Sequence, residues 1–551
     1  MFRPDPCRER PAITRTTDFS LWSSCVDRLQ PVSRLFNGTW LRSSRRVVFL
    51  VAILPFAQAS AEVRLNSLFS DGAVFQRDQP IPVWGTAGDG ERVTVRLLQY
   101  VASSIASKGK WRVDLPPLKA GGPYDLIVEG ADNKLTVHNV LIGEVWLCGG
   151  QSNMELTVAQ CDRATEEIAS SRNPMIRLLR VPKNPSDEAV TDVHSTWKEC
   201  GPSTVGHFSG VGYFFGRDLQ KRLGVPVGLI DASDGGTPAE AWMTRKTLQS
   251  RPEFQSILDE EAQLIRDSPR AMKQFEADLE RWNRDAENAR RENRKLPAKP
   301  EVPLGPFNFR RPTALYQGMI VPLSPYAIRG VIWYQGERNR FQAYQYRTLF
   351  PAMISDWRAL WNNPLLPFLF VQLAPFGPPS AEPRDDLWAE LREAQLMTSQ
   401  AVPNTAMAVI TDVGEQNNIH PVRKQPVGAR LALAARALVY DEKVEYSGPV
   451  YRSMSVNGKF AVLSFEHTGE GLVAKDGPLT GFAICGADRK FANAAAEIRG
   501  KQVWVWSSQI SAPLAVRYGW AGFPIVNLWN SDGLPATPFR TDNFPILSGP
   551  K

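Results

Sequence analysis

Short runs of alternating apolar and polar residues fill the part of the chain that follows residue 61. These runs cover residues 73–76, 81–84, 93–98, 111–115 and 124–128. Gly, Pro and Asp separate them at intervals of about ten residues, a spacing typical of turns in a small antiparallel β domain. We therefore predict an N-terminal β domain over residues 62–139.

The pattern changes at Val140, where apolar strand-like runs begin to alternate with amphipathic helical stretches. The predicted strands are 145–148, 227–230, 330–334, 368–373 and 407–410, and the predicted helices are 154–171, 210–222, 344–360 and 427–439. Alternation of this kind favours a mostly parallel sheet covered by helices on both faces. The prediction is an α/β core over residues 140–440.

Two further regions differ from this core. Residues 248–306 are dense in charge and end in a proline-rich stretch, which indicates an exposed helical insertion. Its basic residues are interleaved with Asp and Glu, so a solvated helix face is favoured over a site for an anionic ligand. The alternating β pattern returns over residues 441–551, with clear strands at 503–506 and 514–518, and predicts a C-terminal β-rich domain.

Length and charge narrow the class of protein. With 551 residues, of which 43% are hydrophobic, the chain is too long for one core and too apolar to be disordered. Most of the net charge of +7 lies in residues 1–61, and 55 basic against 53 acidic residues remain after them. No basic surface is left to follow a phosphate backbone, so nucleic acid is not expected as a partner.

The first 61 residues resemble an export signal. Three arginines precede an apolar run of 11 residues, 47–57, which is followed by the cleavage patterns Ala57-Gln-Ala59 and Ala59-Ser-Ala61. Eleven residues are too few for a bilayer, which needs about 20; an uncleaved anchor or a buried helix is the alternative. We expect cleavage near Ala61, no stable membrane insertion afterwards, and a periplasmic or secreted protein.

Four cysteines remain after this segment. Cys148, Cys161, Cys200 and Cys485 form no Cys-x-x-Cys pair and no zinc-type cluster with histidine. No metal site is therefore predicted. Cys148 lies in an apolar run that favours a buried thiol, whereas Cys161 and Cys200 are candidates for a disulfide whose pairing the sequence does not fix.

The strongest chemical signal is a serine that follows a strand and two glycines. In Val145-Trp-Leu-Cys-Gly-Gly-Gln-Ser-Asn-Met-Glu155, Gly149 and Gly150 permit a sharp turn before Ser152 opens a helix. Free N–H groups at a helix start favour developing negative charge, which suits a nucleophile. A plain serine helix cap is the alternative. The Gly-x-Ser-x-Gly pattern of α/β-hydrolases is absent.

A serine nucleophile needs a base, and His420 is the best placed of five histidines. It lies in the polar stretch 412–421, between a predicted core strand and a long helix. Open α/β sheets place their sites in loops of this kind, beyond the carboxyl ends of the strands. Ser152 and His420 are therefore expected to lie together.

Four blocks in the same order resemble the sialate O-acetylesterase family, within the SGNH-hydrolase fold. They are Gly150-Gln-Ser-Asn-Met154 and residues 228–242, 330–339 and 419–430. The resemblance implies a three-layer α/β/α core of SGNH type, with a mostly parallel sheet and flanking β domains. It also implies an exported esterase that removes O-acetyl groups from sialic acid or related glycans, without metal or organic cofactor.

The resemblance also implies roles for single residues. Ser152 would be the nucleophile and His420 the general base, with an oxyanion hole made of the Ser152 N–H, the Gly236 N–H and the Gln335 side-chain amide. Three further residues of these blocks are expected to bind substrate: Asn153, Glu337 and Arg338.

Departures from the family pattern concern the histidine and the substrate. Many SGNH enzymes carry an aspartate two or three residues before the histidine, where this chain has Asn417 and Asn418. The group that orients His420 is then Asp412, Glu415 or a main-chain carbonyl near Asn418, and we favour the carbonyl. Asp234 stands where the related block usually has Trp, and Arg338 where it usually has a small hydroxyl residue; either change could alter which sugar fits.

The asparagines before His420 also leave a second hypothesis open, a non-catalytic glycan-binding protein on the same fold. A peptidase or lipase is disfavoured because no long apolar lid segment flanks the four blocks. The sequence gives no prediction of the oligomeric state.

Overall fold

The structure, a computed structural model, describes residues 62–306 and 308–550. The expected export signal lies outside these residues. The residues described belong to one compact unit, so the division into separate domains stays a prediction. No helix in this part of the chain is long and apolar enough to cross a membrane.

The N-terminal region is built from β strands, as its alternating pattern predicts. Its strands are β1 (Arg64–Leu65), β2 (Val74–Gln76), β3 (Ile81–Thr86), β4 (Arg92–Leu97), β5 (Tyr100–Ile105), β6 (Lys110–Leu115), β7 (Gly121–Glu129) and β8 (Lys134–Gly150). In β6 the apolar side chains of Trp111, Val113 and Leu115 are buried while the alternating polar ones are exposed. The strands β1, β3 and β6 pair antiparallel, and β4 pairs with both β5 and β7.

Strand β8 connects this region to the core, because its 17 residues pass through the point where the sequence pattern changes. Its first half pairs antiparallel with β7, and its second half lies inside the core sheet. From Val140 onward β8 is almost entirely buried. Val140 thus lies within a continuous strand that carries the chain directly to Gly149 and Gly150.

The core sheet has the strand order β10–β9–β11–β8–β12–β13–β14. The added strands are β9 (Asn173–Arg180), β10 (Lys198–Cys200), β11 (Val227–Ser233), β12 (Gly330–Tyr334), β13 (Phe368–Val371) and β14 (Thr405–Ala408). All neighbours pair parallel except β10, which is antiparallel to β9. The carboxyl ends of β8, β11, β12 and β14 therefore meet at one edge of the sheet.

Eight α-helices occur in the residues described. They are α1 (Ser152–Glu155), α2 (Ala164–Ala169), α3 (Gly210–Leu223), α4 (Arg245–Ser250), α5 (Gln255–Arg291), α6 (Ala343–Leu360), α7 (Leu387–Ala401) and α8 (Gln425–Val439). Helix α3 packs on α8, and α6 packs on α7. The contact between α3 and α8 is close because Gly428 faces Phe214, where a Cβ would lie 2.6 Å from that side chain.

The predicted helix over residues 154–171 is wrong as a single element. The structure has the four-residue α1, a 3₁₀ turn at Val158–Gln160 and the six-residue α2 instead. The insertion does contain a long helix, α5, of 37 residues, in which only Ile257, Ala286 and Ala289 are buried. Its charged pattern thus corresponds to a largely exposed helix.

The C-terminal region is again made of strands. They are β15 (Val450–Asn457), β16 (Phe460–Glu466), β17 (Leu472–Ala474), β18 (Phe482–Cys485), β19 (Ala492–Asn493), β20 (Ala495–Arg499), β21 (Gln502–Trp506), β22 (Ala515–Tyr518), β23 (Leu528–Asn530) and β24 (Phe539–Arg540). They form sheets of four, two and four strands. A mixed α/β core with flanking β regions is therefore confirmed.

The candidate disulfide between Cys161 and Cys200 is not formed, because both thiols are free. The Cys161 thiol donates to the Thr157 carbonyl at 3.4 Å, and the Cys200 thiol donates to the Ser171 carbonyl at 3.3 Å. Burial raises the pKa of each thiol to about 12. Cys148 is a buried thiol, as its apolar surroundings predict.

Candidate active site

Ser152 follows the end of β8 at a turn that only glycine can make. Gly150 has φ +140°, and a Cβ there would lie 2.2 Å from the Tyr334 carbonyl oxygen of β12. The Gln151 N–H donates to that same carbonyl at 2.9 Å. Because α1 has only one turn, any stabilisation of negative charge near Ser152 comes from local N–H groups and not from a long helix dipole.

His420 reaches Ser152 from the loop between β14 and α8. The His420 Nε2 lies 2.7 Å from the Ser152 Oγ, although the two residues are 268 positions apart. Both residues are half-buried. Burial, together with the nearby charge of Lys424, lowers the pKa of His420. The imidazole is therefore held as the neutral form, which can accept a proton.

Neither of the two alternative carboxylates, Asp412 and Glu415, touches the His420 ring. Asp412 is bound by Arg430 through two contacts of 2.6 and 2.9 Å. Glu415 accepts from the Asn418 side chain at 3.1 Å and from the Val422 N–H at 2.8 Å. Both carboxylates thus hold the shape of the loop.

The expected carbonyl partner of the ring is also not found. Within the part of the chain that the structure describes, His420 Nδ1 has no hydrogen-bond acceptor; the hydrogen bonds near Asn418 go to the main chain of His420 instead. The Asn418 Oδ1 accepts from the His420 N–H at 3.0 Å, and its Nδ2 donates to the His420 carbonyl at 2.9 Å. The asparagine therefore fixes the backbone of the histidine, because its short amide reaches the peptide groups two residues on.

Two main-chain N–H groups near Ser152 are free of acceptors among the residues described. One belongs to Ser152 itself, at the first position of α1, and the other to Gly236, which has φ +72°. The neighbouring Gly235 lies against Ser152, since a Cβ there would be 3.4 Å from the Ser152 Cβ. The Gly235 N–H donates to the Glu155 carboxylate at 2.7 Å.

Gln335 does not fit the role of third oxyanion donor. Its side chain is fully buried, and its amide donates to the Thr237 carbonyl at 3.2 Å and to the Asn339 Oδ1 at 2.7 Å. Its Oε1 accepts from the Tyr346 hydroxyl at 2.9 Å. The residue is a buried bridge between β12 and the loop after β11, and neither amide hydrogen is left for an oxyanion.

Asn153 and Glu337 were expected to bind substrate, but both lie buried beneath the site. The Asn153 Nδ2 donates to the Glu337 carboxylate at 2.5 Å and to the Ile419 carbonyl at 3.0 Å, and its Oδ1 accepts from Lys424 Nζ. Asn153 therefore ties the residue after Ser152 to the residue before His420. We call Asn153, Glu337 and Lys424 the buried lock.

The charges of the buried lock are shifted by their surroundings. Burial lowers the pKa of Lys424 to about 8, an effect that Glu337 partly opposes, and burial raises the pKa of Glu337. The Lys424 Nζ also lies 5.2 Å from the Tyr334 ring centre. Lys424 carried no signal in the sequence, because an isolated lysine just before a helix is ordinarily a surface residue.

Asp234, which stands where the block over residues 228–242 usually has Trp, forms an ion pair with Lys183. The Lys183 Nζ lies 2.8 Å from the Asp234 carboxylate and 2.7 Å from the Glu155 carboxylate. Since Glu155 also binds the Gly235 N–H, these contacts fix the turn that carries Gly236.

Arginines and three glutamates line a cavity of about 390 Å³ next to this turn. Arg338, which was expected to bind substrate, lies here and is exposed. Arg310 lies over Gly236, with its Nη2 3.1 Å from where a Cβ of that glycine would be. Burial and the charge of Arg338 lower the pKa of Arg310. Neither arginine has a carboxylate within ion-pair distance among the residues described.

The fold and this site define a class of protein, the carbohydrate esterases. Residues 142–281 and 307–436 match the family described as "Carbohydrate esterase, sialic acid-specific acetylesterase". The chain is similar to a crystal structure of a carbohydrate acetylesterase from Xanthomonas citri, with a TM-score of 0.75 and 39% identity over 88% of this chain and 100% of that one.

Two relatives make the family plain. The sialate O-acetylesterase of Mus musculus is 30% identical over 89% of this chain and 97% of its own length. That of Homo sapiens is 29% identical over 89% of this chain and 95% of its own length. The chain belongs to the sialate O-acetylesterase family and is a carboxylic ester hydrolase.

Proposed function

We propose that this protein removes O-acetyl groups from sugars by a serine mechanism on an SGNH-type three-layer core. The observation that carries the proposal is the 2.7 Å contact between Ser152 Oγ and His420 Nε2 at the carboxyl edge of the sheet. The acetylated sugar is taken from the names of the relatives, which are a carbohydrate acetylesterase and sialate O-acetylesterases. The packing of α3 with α8 and of α6 with α7 supports the layered core.

The reaction passes through an acetyl-enzyme. The Ser152 Oγ attacks the acetyl carbonyl carbon while its proton moves to His420 Nε2. The bond between that carbon and the sugar oxygen then breaks, and His420 returns the proton to the sugar. A water molecule attacks the acetyl-serine, gives a proton to His420 and releases acetate as Ser152 regains its hydrogen. The lowered pKa of His420 supports its role as base near neutral pH.

Negative charge on the acetyl oxygen would be stabilised by the N–H groups of Ser152 and Gly236. Their lack of acceptors among the residues described supports this role, since preorganised free donors stabilise an oxyanion. The contacts of Glu155 with the Gly235 N–H and with Lys183 hold the Gly236 turn in place. Gln335 is left out of this hole because both of its amide hydrogens are donated elsewhere.

An acidic sugar fits the site best. Two guanidinium groups without a carboxylate partner, those of Arg310 and Arg338, lie at the cavity beside Gly236. The charge of Arg310 is partly removed from water, which is unfavourable without a partner, whereas Arg338 is exposed; a substrate carboxylate would pair with both. Sialic acids carry such a carboxylate on the same sugar that bears the acetylated hydroxyl groups. We therefore propose sialic acid or a related acidic sugar as the sugar that carries the acetyl ester in the natural substrate.

The N-terminal residues support export of this enzyme from the cell. The basic residues, the apolar run 47–57 and the cleavage pattern near Ala61 support a periplasmic or secreted enzyme. Sequencing the N-terminus of the exported protein tests this, with Glu62 expected as the first residue and Ser60 if the earlier site is cut. An exported form that keeps residues 47–57 would refute it.

A glycan-binding protein without catalysis is the second candidate, and the lack of an acceptor for His420 Nδ1 favours it. Acetate release from 4-nitrophenyl acetate and from acetylated sialic acid decides between the two. We expect Ser152→Ala to lose at least about a thousandfold in turnover, because serine and histidine act as one unit, while its melting temperature stays unchanged. Turnover by Ser152→Ala equal to wild type would refute the serine mechanism, and an inactive wild type that binds the sugar would favour the binding protein.

The acidic-sugar proposal has its own test. Arg338→Met is expected to reduce kcat/KM for acetylated sialic acid about tenfold or more, the effect of losing one charge-assisted contact, and to leave 4-nitrophenyl acetate hydrolysis unchanged. Arg311→Met is the matched control, because Arg311 lines the same cavity but is paired with Asp187 at 2.6 Å. Equal losses in both variants would show that the unpaired arginine has no special role.

A further inference from the structure

A groove made of two neighbouring cavities lies between the loop that carries His420 and the C-terminal β region. Its near part is a cavity of about 410 Å³ that Ile419, the residue before His420, and Arg340 line. Its far part is a cavity of about 500 Å³ between the loop over residues 380–385 and the C-terminal strands. Arg384 and Asp385 line both cavities, so the two are adjacent.

The far cavity has a rigid wall of stacked side chains. The Arg517 guanidinium lies 4.1 Å from the Phe491 ring centre and 5.1 Å from that of Trp520. Arg517 is almost fully buried and is held by Asp385 at 2.6 Å and by Asp542 at 2.9 Å. The pair with Asp385 joins the core loop to the C-terminal region, and the pair with Asp542 holds Arg517 within that region, so both ion pairs support the wall of the cavity.

Several hydrogen-bond donors around the far cavity lack partners among the residues described. The Trp520 Nε1 is buried and has no acceptor. Arg384 and Arg489 are exposed, and neither has a carboxylate within ion-pair distance. A buried donor without an acceptor is unfavourable unless a ligand or water supplies one. The ligand should therefore be rich in oxygen acceptors.

We propose that the far cavity is a distal subsite for a glycan chain whose acetylated residue lies at Ser152. Aromatic edges beside fixed charges, with free donors at the mouth, match the apolar faces and hydroxyl or carboxylate oxygens of linked sugars. The volume lies in the range of ordinary ligand sites, and the groove continues to the residue next to His420. The proposal rests on the proposed function and adds that the C-terminal β region selects chains over single sugars.

The test compares the hydrolysis of a linked glycan with that of its single sugar. It uses two kinds of variant, one that removes hydrogen-bond donors from the far cavity and one that fills it. The double variant Arg384→Ala/Arg489→Ala removes the free donors, and Ser380→Trp fills the cavity with a large side chain. Arg452→Ala, an exposed arginine on β15 outside the groove, is the matched control. The substrates are acetylated N-acetylneuraminic acid and its α2,8-linked tetramer, acetylated xylose and xylotetraose, and 4-nitrophenyl acetate.

Of the two tetrasaccharides, we consider the one that wild type hydrolyses with the higher kcat/KM. Wild type and Arg452→Ala should prefer it over its own monosaccharide by about tenfold in kcat/KM, the effect of about 1.4 kcal/mol of added contacts. Both groove variants should lose that preference while hydrolysing the monosaccharide and 4-nitrophenyl acetate at unchanged rates. A preference retained by both groove variants, or absent from wild type, would overturn the distal subsite alone. Wild type that hydrolyses 4-nitrophenyl acetate but no sugar would instead overturn the proposed function, and the subsite with it.

Discussion

At the scale of single residues, Asn418 is suited to its place by the carboxylate beside it. Its Nδ2 donates to Glu415 at 3.1 Å and to the His420 carbonyl at 2.9 Å, and both bonds need a donor. An aspartate there would put a second carboxylate next to Glu415, and like charges at this distance repel. The asparagine thus keeps the loop intact, and no negative charge is placed at the His420 ring.

We therefore expect the activity of His420 as a base to depend little on any single carboxylate. Asp412→Asn and Glu415→Gln should each lose far less than the roughly ten-thousandfold that a triad aspartate contributes, because both side chains bind other groups than the imidazole. His420→Ala should lose nearly all turnover. Steady-state hydrolysis of 4-nitrophenyl acetate measures all three.

The control for this prediction is folding, since both carboxylates brace the loop. Equal melting temperatures make the comparison valid. A collapse of turnover in a folded Asp412→Asn or Glu415→Gln variant would identify that residue as a third catalytic member and contradict the dyad.

At the scale of elements, the buried lock fastens α1 to the loop before α8. Asn153 lies in α1 and Lys424 directly precedes α8, while Glu337 comes from the turn after β12. Three strand ends are thereby joined beneath the two reacting side chains. The lock also places a lysine charge close enough to lower the pKa of His420.

Lys424→Met should therefore move the acid limb of the pH profile. Removing the positive charge lets the pKa of His420 rise, so less of the imidazole is neutral at pH 5–6.5 and kcat/KM for 4-nitrophenyl acetate should fall there first. We expect the acid limb to move toward higher pH. Above pH 8 the substitution should not change the neutral fraction of His420, because the imidazole is neutral in both proteins.

Lys459→Met is the matched control, because Lys459 is an exposed residue of the C-terminal region. It should leave the acid limb unchanged. An identical acid limb in Lys424→Met would show that the charge of the lysine does not reach His420.

Strand β11 carries a further buried ionisable residue, Asp231, close to its carboxyl end. Burial raises its pKa to about 7, although the Ser233 hydroxyl donates to it at 2.5 Å, and its Oδ2 has no hydrogen-bond partner among the residues described. The unfolded chain has a pKa near 3.8, so the folded state binds more protons between that value and 7. Stability is therefore lost as pH rises through this window.

Asp231→Asn removes this pH dependence. Relative to wild type it should gain stability at pH 8, by up to about 4 kcal/mol for a shift of about three pKa units, and gain little at pH 4. Urea unfolding at the two pH values measures the difference. A gain that is equal at both would show that Asp231 is not protonated in the folded protein at low pH.

At the scale of the whole molecule, Arg392 joins the core to the C-terminal β region. It is fully buried, and burial lowers its pKa to about 10. Its guanidinium donates to the core carbonyls of Leu373 and Ala374 at 2.8 and 3.1 Å, and to the C-terminal carbonyls of Ala521 and Gly522 at 2.7 and 2.8 Å. The C-terminal region thus completes the hydrogen bonding of a core residue.

Arg392→Leu should destabilise the whole of residues 62–551 in one step. It leaves the carbonyls of Leu373 and Ala521 without a donor, whereas those of Ala374 and Gly522 keep the Trp388 Nε1–H and the Phe376 N–H. At about 1–3 kcal/mol for each buried group that stays unsatisfied, we expect one lowered thermal transition. Arg452→Leu, an exposed change in the C-terminal region, should leave the transition in place. Two separate transitions in wild type would show that the core and the C-terminal region unfold independently.

The sequence by itself determined the element types and the identity of the chemical groups. Periodicity alone separates the alternating strands of the flanking regions from the α/β alternation between them, because burial on one face imposes a period on each element. The glycines before Ser152 and the polar loop around His420 are local signals as well, since a sharp turn and a loop after a strand have characteristic residues. Both patterns therefore predict the position of the site from the sequence alone.

Only the tertiary structure decided how these groups are used. Gln335 and Asn153 have side chains that could face either substrate or protein, and their partners, Thr237, Ile419 and Lys424, come from distant parts of the chain. Cys161 and Cys200 are free for the same reason, because long-range packing set their surroundings. Sequence pattern reports how each residue relates to its near neighbours, whereas hydrogen bonds across the sheet edge depend on which strand ends meet there.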